Sequence, residues 1–170
     1  MAPQKWVELM GQEPDMSKKR MVYIHIPFCS HICLYCGFFQ NFINEDREQR
    51  YVARLLKELE MAKEDKMLQA KPMQCVFFGG GTPSALSPAN IAKVLQKLKE
   101  CIPLTNDCEI TMEARIYDLQ KERIEAWFAN GVNRVSIGVQ SFDTKIRQAS
   151  GRLDTKETVM ERLKLISSYD

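Results

Sequence analysis

Nowhere in the sequence do about 18 apolar residues run together, so no segment of it reads as a membrane-spanning helix. The first twenty residues, MAPQKWVELMGQEPDMSKKR, lack the apolar centre that an export signal needs, and the expected location is the cytoplasm. A surplus of one charge is missing too. Lysine and arginine number 24 against 22 aspartates and glutamates, with both signs interspersed. That balance argues against the basic stripe of a nucleic-acid surface, so neither nucleic acid nor membrane is an expected partner. There is no internal repeat and no low-complexity tract, and 170 residues suffice for one domain with a sizeable core.

Six cysteines stand out against this background. In a reducing compartment they read as ligands, catalytic thiols or buried apolar residues before disulfides. Cys75, Cys101 and Cys108 are scattered and read as small hydrophobes. Cys29, Cys33 and Cys36 fall within eight residues of one another.

Residues 1–20 read as a polar arm and residues 21–170 as the folded core. Met21 to Ile26 is apolar and β-branched, a buried strand stopped by Pro27. Residues 28–44 read as a loop. Asp46 to about Lys66 carries Tyr51, Leu55, Leu59 and Ala62 at helical spacing. Gln74 to Phe78 is a second strand, ending at Gly79-Gly80-Gly81. Ser87 can cap the next helix, with Pro88 in its first turn. Glu109 to Met112 is a third strand, 121–129 a helix closed by Asn130-Gly131, Arg134 to Val139 a fourth strand, and 155–166 a further helix. Strand and helix thus alternate four times, the pattern of an α/β fold with a parallel sheet and outer helices. Functional loops in such folds follow the carboxyl ends of strands. The unusual stretches all lie there: the cysteine loop, the glycines, Glu113 and Gln140.

Cys29-x-x-x-Cys33-x-x-Cys36 offers three thiolates in one loop, the ligands that iron–sulfur clusters require. A [4Fe–4S] cube has four irons, so three cysteines leave one iron open to a small molecule. The alternative is a zinc site completed by His25 or His31. Zinc sites prefer paired C-x2-C knuckles, and a second pair is missing. His25 reads as a core or supporting residue and His31 as a solvated one.

The lead-in Tyr23-Ile-His-Ile-Pro-Phe-Cys29, with Cys33-Leu-Tyr-Cys36-Gly after it, resembles the radical S-adenosylmethionine (SAM) superfamily in its coproporphyrinogen III dehydrogenase-like branch. The resemblance runs from about Tyr23 to the C-terminus. It implies a partial (β/α) barrel, a [4Fe–4S] cluster on Cys29, Cys33 and Cys36, and SAM held at the open iron. There one electron cleaves SAM to methionine and a 5′-deoxyadenosyl radical. It also implies SAM contacts at Tyr35, Gly80, Gly81, Thr82, Glu113, Gln140 and Arg152. Tyr35 reads equally as a structural aromatic, the glycines as a tight turn, and Arg152 alone as a surface residue. Many relatives carry Glu-x-x-Pro where this chain has Glu113-Ala-Arg115-Ile116. Arg115 then meets either a substrate carboxylate or a surface partner. Tyr23 is the candidate catalytic residue.

Cys36-Gly37-Phe38-Phe39-Gln40-Asn41 and Glu109-Ile-Thr-Met-Glu113-Ala-Arg115 resemble, within that branch, the heme-degrading anaerobilin synthase family. This implies heme or a related tetrapyrrole as substrate, methyl-carbon transfer, ring opening and release of iron, with a flavodoxin-like low-potential electron donor. Oxidative decarboxylation of coproporphyrinogen III and heme binding by a chaperone remain the alternatives. Four strands do not close a barrel, which needs about 200 residues or more. The expectation is therefore an N-terminal portion of the core, with the barrel incomplete and a C-terminal domain absent.

Overall fold

Period-two alternation along the strands decides which side of the sheet is filled. β1 (Met21–Ile26) buries Ile24 and Ile26 and turns Met21, Tyr23 and His25 to the opposite side. The computed structural model describes residues 3–38 and 41–169. A short β2 (Phe28–Cys29) pairs with β3 (Asn41–Phe42) in a ladder of its own. The main sheet continues with β4 (Met73–Gly80), β5 (Leu104–Arg115) and β6 (Arg134–Gly138), in the order β1-β4-β5-β6 with every neighbour parallel. Among the described residues the sheet is open, not a closed barrel.

Parallel neighbours need long crossovers, and helices supply them. The helices are α1 (Pro3–Met10), α2 (Glu45–Met61), α3 (Lys66–Gln69), α4 (Pro88–Cys101), α5 (Lys121–Ala129), α6 (Thr144–Ala149) and α7 (Lys156–Ser167). Val52, Leu55 and Leu59 of α2, Ile91, Val94, Leu95 and Leu98 of α4, and Ile124 and Trp127 of α5 join Ile24, Val76, Phe78, Ile110 and Met112 in one core. Each fully buried side chain of this size contributes about 1.5–3 kcal/mol. The other face carries Tyr23, His25, Phe77, Gly79, Thr111, Glu113, Arg134 and Ser136, of which Tyr23 and His25 on β1 and Arg134 and Ser136 on β6 are exposed.

Several elements depart from their sequence expectations. The segment expected as a polar arm contains α1, with Met1 and Ala2 outside the described residues. β1 is buried on one face only, since Tyr23 stays 52% exposed. β5 begins at Leu104, not Glu109, because its polar start pairs with Met73. α2 stops at Met61, and Asp65 accepts the Leu68 N–H to cap a separate turn. α6 was not anticipated; Asp143 caps it through the Ile146 N–H at 3.0 Å. Ser87 precedes α4 without capping it. Its N–H and hydroxyl both donate to Glu48 Oε1 of α2, at 2.6 and 2.7 Å, so a buried glutamate on a neighbouring helix anchors that end.

Glu60, Lys63, Lys97 and Glu100 form a charge network between α2 and α4, with Lys63 and Lys97 each contacting both glutamates. Hydrogen bonds from Lys97 and then Lys63 hold the Glu60 carboxyl at about 2, below its ordinary 4.5. A depressed carboxylate stabilises the fold fully above its unfolded value and loses that contribution as pH falls through the folded one. Thermal melts of wild type and Glu60→Gln should therefore differ above about pH 4.5 and converge towards pH 2. The difference should be small and shrink with salt, because the glutamates are half exposed. A gap that stays constant across this range would exclude the charge as its source.

Candidate functional site

Parallel register brings all four strand ends to one edge. Ile26 lies beside Gly80, Phe78 beside Met112, and Arg115 beside Gly138. The segments leaving those ends enclose a cavity of about 280 Å³. Cys29, Cys33, Tyr35 and Cys36 line it from the loop after β1, and Gly80, Gly81 and Thr82 from β4. Glu113 and Arg115 line it from β5, and Gln140 and Arg152 from beyond β6. Ten of the eleven residues singled out as candidate site residues thus share one wall. Tyr23 does not belong to that wall. It stacks on Phe77 with ring centroids 6.1 Å apart and stands beside Gly79. A Cβ built at Gly79 would lie 2.9 Å from the Tyr23 hydroxyl and 3.0 Å from Glu113 Oε2, so these two groups meet over the glycine. Burial, with the Glu113 charge adding, raises the Tyr23 phenol above its ordinary 10.0.

The glycine turn owes much of its composition to the chain itself. Gly80 has φ +117°, and a Cβ there would lie 2.7 Å from the His25 ring. At Gly81 it would lie 2.7 Å from the Phe28 carbonyl oxygen. These two glycines are required by the close approach of β1 and β2, whatever else lies in the cavity. Thr82 is buried, and its hydroxyl donates to Cys29 Sγ at 3.3 Å. Such a donor stabilises a thiolate over a thiol.

Three side chains that sequence reasoning did not single out, Ser84, Asp118 and Arg147, brace the segments around the cavity. Asp118, 1% exposed, accepts from Ser84 Oγ at 2.8 Å and from Ser30 Oγ at 3.3 Å. Ser84 Oγ in turn accepts from the Arg115 N–H. Arg147, fully buried, donates to the carbonyls of Val139 and Ser141 and pairs with Asp154. It thereby brackets Gln140, the one non-glycine residue with positive φ (69°) among the described residues. Neither an aspartate in a loop nor an arginine in a polar helix carries a sequence signal of such roles. His31, expected as solvated, packs edge-on against Tyr117 at 4.7 Å.

Arg152 is buried. Its Nε donates to the Tyr35 hydroxyl at 3.0 Å and its Nη1 to the Gly138 carbonyl at 2.6 Å. No carboxylate among the described residues forms an ion pair with it or with Arg115, although buried charges are ordinarily paired. Two guanidinium groups on the wall suit an anionic or carboxylate-bearing ligand. Among the described residues no three His, Cys, Asp or Glu groups converge as a single-ion site would require. A cube uses thiolates differently, since each binds a different iron and the sulfurs stand apart. The donor set of three thiols on one wall therefore fits the cluster better than zinc. Phe39 and Gln40 of the post-cysteine stretch lie outside the described residues.

The family model described as Radical SAM superfamily matches residues 23–170. Anaerobilin synthase of Escherichia coli O157:H7 is 42% identical over 98% of this chain and 37% of its own length. Heme chaperone HemW of Buchnera aphidicola is 38% identical over 74% of this chain and 33% of its own length. Among solved structures, coproporphyrinogen III oxidase HemN of Escherichia coli superposes with a TM-score of 0.86. It covers 99% of this chain and 38% of that one at 23% identity, a likeness of fold. The chain thus spans under two fifths of the length of each.

The buried network makes a prediction about stability. Asp118→Ala strands the buried Ser84 hydroxyl and frees the half-buried Ser30 hydroxyl, and should lower unfolding free energy by about 2–4 kcal/mol, with Asp118→Asn costing less. Urea titrations measure this, and an unmoved midpoint for Asp118→Ala would show that the network holds nothing in place.

Proposed function

The chain belongs to the radical SAM superfamily, whose members use a [4Fe–4S] cluster and SAM, and from that premise we propose a role for each wall of the cavity. Cys29, Cys33 and Cys36 hold the cluster, and Thr82 tempers the charge on the Cys29 sulfur. SAM lies against Tyr35, Gly80, Gly81 and Thr82. Arg152 meets its carboxylate, Glu113 its amino group's side of the cavity, and Gln140 its ribose. The bound pair supplies a strongly oxidising carbon radical when a low-potential, flavodoxin-like donor provides an electron. Tyr23, beside Glu113 on the inner face of the sheet, stands where it can exchange a proton with a substrate on that face.

The substrate we propose is heme or a related tetrapyrrole, degraded without oxygen by methyl-carbon transfer and ring opening with release of iron. The identity to anaerobilin synthase over 98% of the chain supports this. The observation that carries the cofactor reading is the convergence of ten residues, drawn from four strand ends, on one cavity. A second reading, heme binding without porphyrin chemistry, is supported by the likeness to a heme chaperone.

Anaerobic reconstitution should load about four irons and four sulfides. Alanine at Cys29, Cys33 or Cys36 should abolish loading, whereas alanine at Cys75, Cys101 or Cys108 should leave it intact. Zinc uptake without iron would refute the cluster. Arg152→Ala should keep the iron and weaken SAM binding about 30-fold or more, by calorimetry. With heme, SAM and a strong reductant, loss of the heme absorption band with free iron supports degradation. Heme binding with the band preserved favours the chaperone reading.

A further inference from the structure

The segment leaving β5 grips the cysteine loop between its first two cysteines. Arg115 Nη1 donates to the His31 carbonyl, the Tyr117 ring meets the His31 ring, and Asp118 accepts from Ser30. Arg115 is also a wall of the cavity that Cys29, Cys33 and Cys36 line. Its Nε–H is buried and has no hydrogen-bond partner among the described residues. A guanidinium is planar, so anchoring Nη1 on a main-chain carbonyl restricts where Nε can aim. A buried donor without an acceptor is costly. Glu113, on the same face of β5 two residues earlier, forms no ion pair with it within the described structure. A group held in the cavity that Arg115 lines can supply the acceptor.

Resting on the cluster reading above, we propose that Arg115 is a cluster-facing residue that donates its Nε–H to a sulfur of the [4Fe–4S] cluster. It has two effects there. One nitrogen fixes the main chain between Cys29 and Cys33. The other supplies a hydrogen bond and a full positive charge beside an anionic group. Hydrogen bonds to the sulfurs and local charge both set the potential of such clusters. Reduction adds negative charge, so the guanidinium favours the reduced form and raises the midpoint potential. Among the described residues no other arginine or lysine on the wall is hydrogen-bonded to the cysteine loop's main chain; Arg152 meets the loop at the Tyr35 hydroxyl.

The test is a potentiometric titration of the reconstituted full chain, followed by electron paramagnetic resonance without SAM, on wild type, Arg115→Gln and Arg115→Lys. At the wild-type midpoint, the ratio of reduced to oxidised cluster should fall about ten-fold or more in Arg115→Gln. Arg115→Lys, which keeps the charge but not the fork, should fall less. Iron content and the circular dichroism melt should stay near wild type, because Tyr117 and Asp118 still hold the loop. If Arg115→Gln loses its iron, Arg115→Lys decides, and a wild-type midpoint in that variant overturns the proposal. Unmoved midpoints in both variants overturn it as well. So does a loss of SAM affinity with the SAM-free midpoint unchanged, which would assign Arg115 to the SAM carboxylate. A wild-type chain that takes up no iron would instead overturn the cluster reading on which the proposal rests.

Discussion

Parallel pairing is the constraint from which the rest of the molecule follows. Strands that all run one way must end on one edge, and their exits must share that edge. The register makes the alignment tight: Ile26, Gly80, Phe78, Met112, Arg115 and Gly138 close ranks across the four strands. The cavity is the space left between those exits. The helices fill only the opposite face, where Phe78, Leu95 and Trp127 are fully buried. The inner face is left for polar groups such as His25, Thr111 and Glu113, which an apolar core does not tolerate unpaired.

The loop that carries the cysteines has little structure of its own. The two-residue pairing of β2 with β3 is its one regular element among the described residues. It is held from outside. Arg115, Tyr117 and Asp118 hold Ser30 and His31. The Ser150 carbonyl accepts the Leu34 N–H at 3.1 Å, and Gly151, at φ +80°, lets that segment lie against Leu34. A side chain at Gly151 would press on the loop between Cys33 and Cys36. The precision of a metal site comes from such supports as much as from its ligands. Here Arg115 and Asp118 lie 84 and 88 residues downstream of His31 and Ser30, the loop residues they hold.

The same residues serve stability and function in different ways. Asp118 gives a buried carboxylate to two serine hydroxyls, with no cation in ion-pair distance among the described residues, an arrangement that depends on both hydroxyls being in place. Arg147 is satisfied within the protein by three carbonyls and Asp154. Arg115 and Arg152 keep donors towards the cavity. Arg147 and Arg152 are buried and Arg115 half-buried, but the difference that matters is whether the protein itself completes their hydrogen bonding.

The sequence alone determined the order of the four main strands and the larger helices between them, the spacing of Cys29, Cys33 and Cys36, and the rule that chemistry sits after strand ends. These are local properties, written in apolar periodicity, in Pro27 and Gly131, and in short motifs. They pointed to the cysteine loop, the glycines, Glu113 and Gln140 by position, and the family resemblance of the motifs added Tyr35, Thr82 and Arg152; a parallel fold maps strand ends onto one place. Tertiary structure decided what local pattern does not encode. The polar start of β5 becomes strand only because Met73 pairs with it, and Ser87 gives its hydrogen bonds to Glu48 because α2 packs there. Gly80 and Gly81 are glycines for the sake of His25 and Phe28, over 50 residues away. Asp118 and Arg147 look like surface residues until folding buries them. Their roles depend on partners brought together by packing, and a contact between distant segments leaves no trace in the periodicity of either.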